Sequence, residues 1–137
     1  MSLNNMSTDL LVVTVNGRQM TDWGETASPV KDEPIDPKSA IRRGQGGNAV
    51  RLNRINPGRR VTLALNPGSP DSAYMQGLFN STANITFSAT QIGTLENAIG
   101  TEGAIVNDAS KDRGGMTISD DVYIMEFNGW TGLKGGS

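Results

Sequence analysis

Cysteine and histidine are both missing from this chain of 137 residues. Without cysteine there can be no disulfide framework and no thiolate ligand, and the redox compartment goes unmarked. Without histidine, Ser-His-Asp triads, Cys-His pairs and imidazole-bound metal sites are all excluded. No Gly-x-x-x-x-Gly-Lys-Ser/Thr loop is present to cradle phosphates. No apolar run approaches the roughly 20 residues that a membrane-spanning helix needs, and nothing resembles a signal peptide. An excess of either charge is lacking too. Twelve basic side chains against 14 acidic ones leave a net charge of −2, which argues against a simple nucleic-acid binder. Aspartates and glutamates could in principle form an acid/base pair, but none sits in a motif that assigns it a role. The sequence therefore points to no enzyme, no cofactor and no metal, and function has to be sought in assembly.

Glycine is plentiful, with 17 residues, as suits many turns between short strands. The length fits one domain with a core of its own. The stretch from Gly58 to Asn80 organises the reading. Val61, Leu63 and Leu65 alternate with Thr62 and Ala64, the period of a half-buried strand. Asn66-Pro67-Gly68 stops it, since proline has no donor for a ladder and glycine permits a sharp turn. Ser69 can cap a helix that carries Pro70 in its first turn, with Asp71 at the positive end of the dipole. Met75, Leu78 and Phe79 put one apolar stripe on that helix, expected over about 70–80.

Along the rest of the chain, 1–9 reads as a polar arm. Leu10 to Val15 is a strand apolar on both faces, followed by the hairpin signal Asn16-Gly17. Arg18 to Asn48 contains Pro29, Pro34, Pro37, Gly44, Gly46 and Gly47 and reads as irregular, so 21–47 is expected to be a long projecting loop. Its apolar Trp23, Val30, Ile35 and Ile41 suit an arm or long hairpin that orders against a partner better than a solvated loop. Val50 and Leu52 mark a strand of weak register. Ile85, Phe87 and Ala89 form the inward face of another. Gln91 to Gly115 reads as short strands and turns around Ala104-Ile105-Val106. Asp121 to Phe127 is the last strong strand, and 129–137 reads as a fraying tail.

Charge is segregated by sign. Five acids (Asp22, Glu25, Asp32, Glu33, Asp36) lie between 22 and 36 with only Lys31 among them, whereas six arginines (Arg42, Arg43, Arg51, Arg54, Arg59, Arg60) lie between 42 and 60 with no acid. Such a chain can bind copies of itself, basic face to acidic face, in heterologous contacts that close into rings or run on as filaments. The rival reading is a nucleic-acid-binding β-barrel that grips phosphate with the same arginines.

The run Gly44-Gln45-Gly46-Gly47-Asn48-Ala49-Val50-Arg51, and the run Gly58-Arg59-Arg60-Val61-Thr62-Leu63-Ala64-Leu65-Asn66-Pro67-Gly68-Ser69-Pro70, resemble bacteriophage tail-tube proteins. With the early strand and the Gly/Pro-rich arm, the likeness runs from about Leu10 to about Trp130. It is greatest to the inner-tube proteins of contractile-tailed phages, which are related to type VI secretion tubes. The resemblance implies a mainly β fold, a small β-barrel or β-sandwich with one flanking helix. It also implies hexameric rings stacked into a hollow conduit for the genome, in a virion tail made in the bacterial host cytoplasm. The partners implied are other copies of the chain, a tail sheath outside, and the genome or a tape-measure protein inside, with no membrane. The long loop would reach the adjacent ring, with its apolar Trp23, Val30, Ile35 and Ile41 buried against it and its acids Asp22, Glu25, Asp32, Glu33 and Asp36 meeting the arginines of another copy.

Overall fold

A computed structural model describes residues 11–92 and 94–134; the arm expected at 1–9 and the last residues of the expected tail lie outside them. Nine strands and one helix follow in order: β1 Leu11–Val15, β2 Arg18–Met20, β3 Val30–Pro34, β4 Ser39–Arg43, β5 Ala49–Asn53, β6 Arg59–Leu65, α1 Pro70–Asn80, β7 Ile85–Gln91, β8 Glu96–Ser110 and β9 Asp121–Leu133. Seven strands form one antiparallel sheet in the order β2-β1-β7-β8-β9-β6-β3, and β4 and β5 pair only with each other. The fold is thus mainly β with one flanking helix, as expected. The ladder does not close into a barrel among the described residues.

The period-2 pattern puts one side chain in two on the inner face. Val13 and Val15, Val61, Leu63 and Leu65, Ile85 and Phe87, Ile105, and Tyr123, Met125 and Phe127 meet there in one buried cluster with Met20 of β2. The helix adds Met75, fully buried, while Leu78 and Phe79 pack partly exposed against the cluster. Its start follows from local chemistry. The Ser69 side chain accepts the Ser72 amide, and Pro70 opens the helix where its missing N–H costs nothing. Asn16 and Gly17 both adopt positive φ, which makes the two-residue β1–β2 hairpin as expected.

Three expectations need correction. The stretch 21–47 is not one irregular loop. Trp23 bridges Leu65, Ala64 takes a hydrogen bond from Gly24 and gives one to Pro29, and β3 pairs with β6, so 22–34 runs along β6 as the sheet's edge. Pro34 is tolerated because it ends an edge strand. Only the β4–β5 hairpin projects. Second, the glycines of 91–115 do not break the chain into short strands, for β8 is 15 residues long with irregular register near Ile105 to Ser110. Third, 129–133 does not fray: Gly129 to Leu133 continues β9 and pairs with Thr101 to Asn97. Gly100 and Gly103 explain the last two. Both lie under the ring of Phe127, where any side chain would collide with it. They are packing glycines rather than turn glycines.

Candidate assembly surface

The β3–β6 register decides what most of the segregated charge does. It brings Asp32 and Glu33 beside Arg59 and Arg60 of the same chain. Arg59 Nε donates to Asp32 Oδ1 at 3.0 Å, Arg60 donates to Glu126 Oε2 at 3.1 and 3.2 Å, and Glu33 lies 3.7 Å from Arg60. Arg54 approaches Asp36 at 3.6 Å across the root of the hairpin. Three of the expected inter-subunit acids and three of the arginines therefore pair within one copy. The sequence suggested contacts between copies because the strand pairing that joins 32 to 59 is not a local signal.

What remains uncompensated has a direction. Arg42, Arg43 and Arg51, all on the hairpin, make no ion pair among the described residues. Asp22 and Glu25 make none either, and they sit at the opposite end of β6, beside Leu65 and Asp120. Asp120 is held there by accepting the Glu25 and Thr26 amides at 3.0 and 3.2 Å. Three unpaired arginines thus lie on the hairpin, and two unpaired acids lie at the other end of β6.

The hairpin itself is amphipathic. Its register pairs Ala40 with Leu52 and Arg42 with Val50, and, on the other face, Ile41 with Arg51 and Arg43 with Ala49. One face is apolar apart from Arg42, and the other carries Arg43 and Arg51 around Ile41. Every residue of β5 is exposed, Val50 and Leu52 by more than half. Of the other expected contact residues, Trp23 and Val30 pack on the core of their own chain, and Ile35 is half-buried.

At the hairpin's root lies a cleft of about 610 Å³, lined by residues that include Ile35, Pro37, Lys38, Ile55, Pro57, Arg59 and Trp130. Ile55 is 92% exposed beside it. Trp130 stacks on Phe87 with ring centres 5.7 Å apart, and Arg59 covers it at 5.6 Å, so the cleft has a rigid wall.

Two hydrogen-bond networks hold the acidic segment and the β8–β9 loop in place at the Leu65 end of β6. Asp71 accepts the Thr21 and Asp22 amides at 2.8 and 3.0 Å and the Arg18 Nε at 3.0 Å. Burial pushes its carboxyl up, but those three donors outweigh it and hold the group below the usual carboxylate range. Its role is to clamp the start of the β6-edge segment to α1 as well as to complement the helix dipole. Ser72 donates to Asp121 at 2.5 Å, and Arg113 pairs with the other Asp121 oxygen at 2.7 Å. Tyr123 donates to the Ser72 carbonyl at 3.0 Å, and burial pushes its phenol up. Among the described residues no group of three or more potential ligands could hold a metal ion.

Sequence reasoning missed Lys38, Ile55, Glu102, Met116 and Ile118 as surface features. Met116 and Ile118 were open to notice: two apolar side chains in an otherwise polar, Gly-rich loop.

No protein-family model and no curated protein sequence matches the chain. Solved structures do. A chain from the tail of an empty gene transfer agent particle with C6 symmetry is similar at a TM-score of 0.65 and 12% identity, over 94% of this chain and 99% of that one. A chain of the anti-feeding prophage tube-terminating cap is similar at 0.63 and 15%, over 98% and 94%. A chain of the PVC sheath-tube complex, an extracellular contractile injection system in its extended state, is similar at 0.59 and 11%, over 95% and 92%. The chain has the fold of the tube proteins of phage-like tails and contractile injection systems.

Proposed function

We propose that the chain is a structural tail-tube subunit, without enzymatic activity, that self-assembles into stacked rings. The observation that carries this is the β4–β5 hairpin. A lone two-stranded hairpin is marginal in water, and this one has an exposed β5, an apolar face and three uncompensated arginines. Such an element needs a second surface. The acidic end of another copy, with Asp22 and Glu25, offers the opposite charge, and a contact between unlike ends propagates as a stack. The tube fold supports the same reading.

Finer features follow from the resemblance. The rings are hexameric, they enclose a conduit for genome delivery, and a sheath surrounds them in a virion tail. The genome or a tape-measure protein occupies the lumen. Nucleic-acid gripping by Arg42 to Arg60 is the weaker alternative, because Arg54, Arg59 and Arg60 are neutralised by their own chain.

Electron microscopy of the purified protein tests the proposal. Rings or tubes are expected. Monodisperse monomers at high concentration, together with submicromolar duplex binding at physiological salt, would shift the assignment to the alternative, since non-specific binders lie near 10⁻⁴–10⁻⁶ M, roughly.

A further inference from the structure

The cleft at the hairpin root and the loop joining β8 to β9 lie at opposite ends of the same pair of strands. Arg59, on the cleft wall, pairs with Phe127, whereas Leu65, six residues on, pairs with Asp121, into which the loop runs. At about 3.3 Å per residue the two ends are roughly 20 Å apart along β6. Each end presents apolar side chains that its own chain does not cover. Ile55 overhangs the cleft, and on the loop Met116 is fully exposed and Ile118 mostly so. One surface is concave with a rigid aromatic wall, and the other is a protruding loop with a flexible thioether, a side chain that adapts to irregular gaps. Charge matches as well. Lys38 on the cleft and Asp112 on the loop have no ion pair among the described residues; nor have Lys111 at the base of the loop and Glu102, which lines the adjoining hollow. Each surface thus carries at least one cation and one anion that make no ion pair among the described residues.

Resting on the self-assembly reading, we infer that the cleft is a socket for the Met116–Ile118 loop of a second copy, stacked head to tail. The loop of one copy enters beneath the hairpin of the next. That hairpin meanwhile extends past it toward Asp22 and Glu25, of which Glu25 adjoins the loop through Asp120. The two contacts are separate, with the socket apolar and the hairpin electrostatic.

The absence of cysteine makes the test clean. Ile55→Cys and Met116→Cys are made as single variants, checked by thermal melts, mixed under tube-forming conditions and oxidised. Arg43→Cys with Asp22→Cys reports the hairpin contact in parallel, and each variant alone is the control for random encounter. The mixed 55/116 pair is expected to give covalent dimers in high yield, several times that of either variant alone. If tubes form and the 43/22 pair crosslinks while 55/116 gives only control levels, the socket is wrong and the tube assignment stands. If no tubes form and neither pair crosslinks, both are wrong.

Discussion

Gly103 of β8 lies directly beneath the ring of its register partner Phe127 in β9, with no room for a Cβ between them. Phe127 cannot move aside, since it packs against Phe87 at 5.8 Å and Trp130 at 6.0 Å and is itself buried. Gly103→Ala should therefore cost about 1–3 kcal/mol by overpacking. Gly100→Ala, whose Cβ would approach the same ring at 2.9 Å, should cost less. Chemical denaturation would show it; unchanged midpoints for both would mean that the ring has freedom the packing denies it.

The helix should depend on Met75 more than on Leu78. Both belong to the apolar stripe read from the sequence, but only Met75 is fully enclosed. Met75→Ala should cost about 2–5 kcal/mol and Phe87→Ala about 3–5 kcal/mol. Leu78→Ala should fall below both. Equal losses at Met75 and Leu78 in urea titrations would contradict this account of the helix face.

Asp71→Asn should destabilise by about 1–3 kcal/mol at neutral pH, because one amide oxygen cannot replace a charged acceptor of three donors. The folded carboxyl titrates below its ordinary value of 3.8. Its stabilisation is therefore complete above that value and fades as pH falls through the lower, folded one. The gap between wild type and variant should shrink below about pH 4. A gap that stays constant down to pH 2 would mean that the charge is irrelevant to the clamp.

Legibility tracked how local each cause is. The helix was readable because Ser69, Pro70 and Asp71 act within one turn of one another, β6 and β7 because their alternation is self-contained, and β1 because its apolar run ends at the Asn16-Gly17 turn. β3 was hidden since Asp32 and Glu33 look like loop residues until Arg59 and Arg60 lie alongside. The length of β8 was hidden for a similar reason: Gly100 and Gly103 are required by the Phe127 ring, some two dozen residues later. Charge segregation was visible in the sequence, but its division into neutralised and free arginines depends on strand pairing.

The remaining prediction concerns the free arginines. Arg42, Arg43 and Arg51 on the hairpin make no ion pair among the described residues, and neither do Asp22 and Glu25 at the opposite end of β6. Reversing Arg42 and Arg43 to Glu should leave the fold intact, since neither side chain touches the core. It should raise the protein concentration needed for tubes, more so at low salt than at high, because exposed charges are screened within about 8 Å at 0.15 M. Replacing the hairpin from Ser39 to Asn53 by a short Gly-Ser link should go further, leaving a folded domain that no longer makes long tubes. Among the described residues the hairpin pairs only with itself and contributes nothing to the buried cluster, so loss of tubes with an unchanged melting temperature is the expected result. Long tubes from the shortened protein would remove the hairpin from the stacking contact and leave the sheet edges β2 and β3 as the surfaces that join one copy to the next.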